Sequence, residues 1–144
     1  MKILLTILLI TIASTAMGQT KPFVGVSFHS IGYSLQVGVK GENTVALIGY
    51  SKPLTSAVNP TLVFAKVGYE FNITPEREDG YNFTPLVGIS SYTYQDVIKE
   101  QTIKGIAPIY SLELGKDFFN GRIFVTANYC RVLFAGAGFK IFIN

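Results

Sequence analysis

The chain has 144 residues, a formal net charge of +3 and one cysteine, Cys130. So small a charge, with no Lys/Arg cluster on one face of any predicted element, gives no support for a nucleic-acid partner. A single cysteine excludes an intrachain disulfide, and we expect Cys130 to be a small buried side chain rather than a reactive thiol.

The first residues predict export. Lys2 precedes an apolar run, Ile3–Ile12, and the small-residue stretch Ala16–Gly18 follows it. This order is typical of a secretory signal peptide, and the run is well short of the roughly 20 residues of a membrane-spanning helix. We therefore expect residues 1–18 to be a signal peptide and residues 19–144 to form one domain.

Beyond Gln19, apolar and polar side chains alternate with a period of two, which is typical of strands with two unlike faces. The pattern predicts eight strands, at about 23–29, 33–40, 44–52, 61–73, 82–94, 106–117, 123–130 and 135–143. Asn120-Gly121 predicts a tight hairpin turn, and longer polar connections are expected at Lys52–Pro60, Thr74–Tyr81 and Gln95–Lys104. An even number of antiparallel strands can close without an edge. We therefore predict an all-β fold, a closed up-and-down eight-stranded barrel.

Two closed barrels fit this pattern. A soluble, lipocalin-like barrel turns its apolar face inward around a ligand, whereas a transmembrane barrel turns it outward to lipid. The polar face favours the second, because it mixes glycines, hydroxyls, amides and both signs of charge and lacks the dense Lys and Glu of a solvated surface. We predict an interior polar network of His29, Gln36, Lys66, Glu70, Glu113 and Lys140. Burying a charge without a partner of opposite sign costs folding free energy, so Lys66 is expected to pair with Glu113 or Glu70.

Aromatic side chains gather near the predicted strand ends. They are Tyr33, Tyr50, Tyr81, Tyr92, Tyr94, Phe118, Phe119 and Phe142. Such placement is typical of the aromatic girdles at the two interfaces of a membrane barrel.

The whole chain after residue 18 therefore resembles the small eight-stranded outer-membrane β-barrel proteins of Gram-negative bacteria. Its last strand adds to the resemblance, since Gly138, Ile141 and Ile143 are similar to the family's C-terminal assembly signal. The final residues Phe142-Ile143-Asn144 depart from it, because family members often end on an aromatic. The resemblance implies an outer-membrane location, with outer-membrane lipid and the barrel-assembly machinery as partners.

The function expected from this sequence is a structural, envelope or surface-interaction role. An eight-stranded, porin-like barrel has an interior about wide enough for side chains, so a general pore is not expected. One alternative is a soluble exported barrel binding a small apolar ligand. The resemblance implies another, because a few members of the family act on lipid A: an acyltransferase or deacylase using His29 with Ser91 and Asp96. No metal-ligand cluster or phosphate-binding loop is evident, so we expect no cofactor and no enzymatic activity, and any surface partner is left unidentified.

Overall fold

The computed structural model describes residues 20–54, 60–74, 80–96, 98 and 100–143. The predicted signal peptide lies outside these residues, as does most of the connection from Pro53 to Pro60. Within the described part of the chain, no helix is long and apolar enough to cross a membrane.

The described residues form nine β-strands: β1 (Lys21–His29), β2 (Gly32–Lys40), β3 (Thr44–Pro53), β4 (Thr61–Tyr69), β5 (Phe71–Asn72), β6 (Tyr81–Asp96), β7 (Gln101–Phe118), β8 (Gly121–Cys130) and β9 (Val132–Phe142). β4 and β5 are two parts of one barrel strand, because both pair with β6 in one continuous register. The pairing stops after Gly68↔Leu86 and resumes at Phe71↔Phe83, so Tyr69 and Glu70 lie opposite Pro85 and Thr84, and Pro85 has no N–H to contribute to the ladder. The predicted strand 61–73 is thus present but divided.

The sheet closes on itself. Each barrel strand, with β4 and β5 counted as one, pairs antiparallel with the next one along the chain, and β1 pairs with β9 through Val26↔Phe139 and its neighbours. The result is the predicted fold, an all-β, closed, up-and-down, eight-stranded antiparallel barrel. We call the end where β1 begins and β9 ends the terminal end, and the end with the β1–β2 and β8–β9 turns the distal end.

The two faces of the barrel wall differ sharply in burial. On β4, Leu62 is 0% exposed and Lys66 5%, whereas Val63 and Val67 are 58% and 57% exposed. The same alternation runs through the other long strands, with the polar and charged groups and a smaller set of apolar groups inside, and large apolar groups outside. The predicted orientation of the two faces is therefore confirmed, because the arrangement is the reverse of a soluble ligand-binding barrel.

The prediction that Gln95–Lys104 is a polar connection without strands is wrong. β6 and β7 continue through most of it as a paired ribbon, with Tyr94↔Ile103 and Asp96↔Gln101 in register. The outward side chains of this ribbon are polar rather than apolar, so its sequence resembles that of a loop. Tyr94 and Ile103 nevertheless pack against the buried apolar core, so the alternation persists.

The hairpin predicted at Asn120-Gly121 is present, displaced by one residue. β7 ends at Phe118 and β8 begins at Gly121, so the turn residues are Phe119 and Asn120. Phe119 has a φ of 44°, the left-handed region that asparagine or glycine adopts more readily. The strong turn propensity of Asn-Gly thus located the hairpin but not its central pair.

Candidate functional site

The barrel interior is the candidate site, and at its terminal end it holds a charge cluster. Arg122 donates to both carboxylate oxygens of Glu70, at 2.6 and 3.1 Å, and to both of Asp117, at 2.6 and 2.9 Å. Lys40 Nζ lies 2.7 Å from Glu70 Oε1. Two bidentate carboxylate contacts use the planar donor fork of a single arginine. The cluster therefore joins β2, the β4–β5 strand, β7 and β8 across the lumen.

Lys140 occupies the next layer. Its ammonium pairs with Glu113 and lies 5.2 Å from the centre of the Phe23 ring and 4.7 Å from that of Phe124. Rings at these distances attract a cation through their quadrupoles. A carboxylate and two aromatic faces thus compensate Lys140 for the loss of water.

Lys66 lies in the middle of the barrel, and its predicted pairing is wrong. Nζ donates to Ser111 Oγ at 2.9 Å and to Asn128 Oδ1 at 3.3 Å, and Ser111 donates to the same amide oxygen at 2.6 Å. The carboxylates predicted to neutralise it form their ion pairs with Lys140 and with Arg122 and Lys40. Lys66 therefore has neutral hydrogen-bond partners.

His29 lies at the distal end, against the ring of Phe134 at a centroid distance of 5.0 Å. Its Nε2 is 2.7 Å from Ser34 Oγ and 3.2 Å from Ser51 Oγ. Ser91 is exposed on β6, which lies across the barrel from β1 with three strands between them in either direction. The structure therefore does not assemble the His29, Ser91 and Asp96 arrangement considered for an enzyme.

All six residues of the predicted interior network are buried, and five of them lie in four separate polar layers, with Lys140 and Glu113 in the same one. Gln36 faces a small interior cavity that Lys66 and Glu113 also line. Arg122 was not predicted, although it is the largest fully buried side chain among the described residues. The sequence contained the signal: the period of two through Thr126 and Phe124 continues to Arg122, one residue before the predicted strand start.

The interior is filled, not open. Beside the polar layers, an apolar cluster includes Phe23, Leu62, Phe64, Ile109 and Phe134. Cys130 is buried as expected, with Sγ 3.0 Å from Ser90 Oγ. The cavity beside Gln36 measures only about 10 Å³. Among the residues that the structure describes, side chains fill most of the lumen, as is typical of an eight-stranded barrel.

The outer face forms an apolar belt, here defined by its roughly half-exposed large side chains: Val24, Leu35, Val37, Val63, Val67, Val87, Ile89, Tyr110, Leu112, Leu114, Ile123, Val125, Phe139 and Ile141. Exposed aromatics lie near its edges, among them Tyr50, Tyr81 and Phe118. The predicted girdle is wrong at three positions, because Tyr92, Tyr94 and Phe142 belong to the interior packing.

The predicted assembly-signal residues lie at the seam that closes the barrel. Ile141 and Ile143 face outward, about half exposed, and Ile143 N–H donates to Pro22 O at 2.8 Å. Gly138 faces Ser27 of β1, and a Cβ placed on it would lie 2.3 Å from the carbonyl oxygen of Val26. The seam therefore requires glycine at this position, whereas recognition by an assembly machinery stays a prediction.

Comparison with known proteins identifies fold relatives. No protein-family model matches the sequence, and no curated protein shows significant sequence similarity to it. A barrel from the de novo design of transmembrane β-barrels matches with a TM-score of 0.59 and 11% identity, covering 88% of this chain and 96% of the other. The N-terminal β-barrel domain of Pseudomonas aeruginosa OprF matches with a TM-score of 0.54 and 8% identity, covering 86% and 96%. Ail, the attachment invasion locus protein of Yersinia pestis, gives 0.48 and 12%, covering 85% and 97%. At these identities the similarity concerns the fold.

Proposed function

We propose that this protein is an exported, Gram-negative outer-membrane barrel with a structural or surface-interaction role. The observation that supports the proposal most strongly is the orientation of the barrel wall, whose polar face points inward and whose apolar face points outward. The charged groups Lys66, Glu70, Glu113 and Arg122 are enclosed, while the apolar belt is left uncovered.

The apolar belt is difficult to reconcile with water as its surroundings. A soluble monomer rarely exposes a contiguous apolar patch larger than a few hundred Å². Here the belt includes members on the strands all round the barrel, such as Val24, Val63, Val87, Leu112 and Ile123. Outer-membrane lipid is the environment in which that surface is favourable, and the closed ladder satisfies the backbone there.

The strand lengths fit a bilayer. β1, β2 and β4 have 9 residues each, and β3 and β8 have 10. A tilted transmembrane β-strand needs about 9–11. The filled interior supports a structural barrel and argues against a general pore. We also propose that the barrel-assembly machinery folds the chain, because the unpaired backbone groups at the edge of an open barrel cannot enter lipid alone.

The extended β6–β7 ribbon is the element best placed to meet a surface partner. β4 pairs with β6 only as far as Thr93, and β8 pairs with β7 only from Tyr110. The ribbon between these limits projects beyond its neighbours at the distal end. It would present polar side chains such as Thr102 and Lys104 outside the membrane.

Fractionation of cells expressing the full chain tests the proposal. We expect the protein in the outer-membrane fraction, resistant to alkaline extraction, soluble in detergent, and with different gel mobilities before and after heating. Recovery as a freely soluble exported protein, with the same mobility in both samples, would instead support the lipocalin-like alternative.

A second assay tests the lipid A enzyme alternative. Lipid A species are compared in cells carrying no barrel, the natural chain, and the His29→Ala variant. We expect identical lipid A in all three, because His29 is enclosed with Ser34 and Ser51 rather than facing lipid. A species present only with the natural chain would show that the protein is an enzyme.

A further inference from the structure

One side of the β6–β7 ribbon is an unpaired sheet edge. β8 pairs with β7 only from Tyr110 to Phe118, and no described residue pairs with β7 on that side between Gln101 and Ile109. The wall of a closed barrel has no edge. This edge therefore exists because β7 extends beyond Cys130, where β8 ends.

A hydrogen bond at the other end of β7 shows which backbone groups lie on the unpaired edge. Asp117 N donates to Gly80 O, the residue before β6, so the N–H and C=O of Asp117 point toward β6. Along an antiparallel strand, successive residues direct these groups to opposite sides. β6 and β7 keep one register throughout, without a bulge, so the odd-numbered residues of β7 bond to β6 and the even-numbered residues point away from it.

The unpaired groups therefore belong to Thr102, Lys104, Ile106 and Pro108. The first three offer both an N–H and a C=O, and Pro108 offers a C=O alone. Proline is tolerated in a sheet where its missing N–H deprives no neighbouring strand, which agrees with its place on this edge. From Thr102 to Pro108 the edge spans roughly 20 Å, about the length of an ordinary strand.

This edge lies past the apolar belt. The outward side chains around it, Thr93, Thr102 and Lys104, are polar, whereas those nearer the middle of the barrel, such as Val87 and Tyr110, belong to the belt. Backbone groups without partners are costly in lipid but are hydrated in water. A strand from outside can therefore reach the edge and replace its water.

The charges beside the edge determine which strand fits. Lys104 is exposed at its centre, and Arg131 directly follows β8 at its base, with the guanidinium 4.5 Å from the centre of the Tyr92 ring. Opposite charges on neighbouring strands attract and like charges repel. Two copies of the edge paired antiparallel about their centres would place Lys104 opposite Lys104. The edge therefore disfavours a second copy and favours an acidic strand.

We propose that the unpaired edge of β7 binds an extended, acidic segment of another protein as an added β-strand. Backbone hydrogen bonds to Thr102, Lys104 and Ile106 hold the segment, and Lys104 and Arg131 select its charge. The proposed outer-membrane role places this edge outside the cell, and the chemistry of the surface partner is inferred on that basis.

Amide hydrogen exchange, followed by NMR of the natural protein in detergent micelles, first tests whether the edge is open. We expect rapid exchange at Thr102, Lys104 and Ile106, and slow exchange at Ile103 and Gly105, which bond to β6. Slow exchange of the first three at every protein concentration would show that the chain covers its own edge. Slow exchange only in concentrated protein would show that a second copy covers it. Either result would overturn the proposal.

A tethered peptide then tests strand addition. The probe is a synthetic peptide, Thr-Val-Glu-Val-Glu-Val-Thr, joined through a flexible Gly/Ser linker and a disulfide to Gln101→Cys in a Cys130→Ser background. A short linker provides a millimolar effective concentration. We expect exchange at Thr102, Lys104 and Ile106 to slow by about tenfold or more. Unchanged exchange at all three would overturn the proposal.

N-methylation of the peptide is the matched control for backbone pairing. Methyl groups on the alternate peptide nitrogens that point toward β7 should abolish the slow exchange, whereas methyl groups on the other alternate set should preserve it. The same result with both sets would mean that the peptide does not bind as a strand.

Lys104→Glu tests the selection of charge. Relative to each sample without peptide, protection of Thr102 and Ile106 by the acidic peptide should fall by about twofold to fivefold, and a peptide with lysine in place of glutamate should gain by a similar factor. Equal protection by both peptides on natural Lys104 would contradict an acidic partner. Gel mobility before and after heating reports the barrel in each sample, so failure of the edge is distinguishable from failure of the membrane role.

Discussion

Single side chains determine how this barrel tolerates charge in its interior. Arg122 serves two carboxylates at once, Glu70 and Asp117, and its side chain is 2% exposed. Lys140 has one carboxylate and two rings, and Lys66 has only neutral groups. These unequal environments predict unequal losses of stability on substitution, because removing one partner of a buried ion pair leaves the other charge buried without a counter-charge.

Arg122→Met should destabilise the barrel by about 3–5 kcal/mol, since Asp117 loses its closest cation and Glu70 keeps only Lys40. Urea unfolding in lipid vesicles or detergent measures this. Lys21→Met, at an exposed site at the start of β1, is the control and should change stability by less than about 0.5 kcal/mol.

A second substitution checks the mechanism of that loss. Adding Glu70→Gln to Arg122→Met removes a stranded carboxylate, so the double variant should be more stable than Arg122→Met alone. If the two losses simply add, Arg122 contributes by packing rather than by charge compensation.

Gly138→Ala tests the close approach at the seam between β1 and β9. The new methyl group would lie 2.3 Å from Val26 O, so backbone must move, and we expect a loss of about 1–3 kcal/mol. Gly25→Ala meets only flexible side-chain atoms of Gln36 and Lys140, at 3.0 Å or more, and should cost less. Equal losses in matched unfolding curves would contradict the seam geometry.

At the scale of elements, the sequence predicted strands well where each strand has one apolar face. The period of two identified β1, β2, β3, β8 and β9 within a few residues of their ends. It failed on the β6–β7 ribbon, because strands that extend beyond an apolar environment need no apolar face. The division between β4 and β5 depends on the register of β6, which places Pro85 opposite the end of β4, and the sequence alone does not provide this register.

The same limit applies to the site. Period two placed His29, Gln36, Lys66, Glu70, Glu113 and Lys140 inside, because side-chain direction depends on strand parity alone. It could not assign partners, because these depend on the stagger between strands that are far apart in sequence. Lys66 and Ser111 meet across the lumen in this way, as do Arg122 and Glu70.

The β6–β7 ribbon should be separable from the barrel. Replacing Gln95–Thr102 with Asn-Gly would leave Tyr94 and Ile103 flanking a two-residue turn. The removed residues have no partner strand except each other among those described, so we expect a stability change of less than about 1 kcal/mol in urea unfolding and unchanged heat-modifiable mobility. Failure of this variant to fold would show that the ribbon is part of the barrel's core.

At the scale of the whole molecule, the barrel is the reverse of a soluble protein, with charge enclosed and apolar side chains outside. Depth in the membrane should therefore determine the cost of an added charge on the outer face. Val87→Arg, in the apolar belt, should cost about 2–4 kcal/mol in lipid vesicles, whereas Thr102→Arg, on the ribbon, should cost about 0–1 kcal/mol. Similar costs at both positions would mean that Val87 does not face lipid.

The most direct test of the account is the accessibility of single spin labels in lipid vesicles. With Cys130 replaced by serine, labels are placed at Val63, Val87 and Leu112 of the apolar belt and at Thr102 of the ribbon. We predict that oxygen, which concentrates in lipid, relaxes the three belt labels strongly and that a water-soluble nickel complex relaxes only the Thr102 label. Strong relaxation of the belt labels by the nickel complex would contradict the claim that this face lies in lipid.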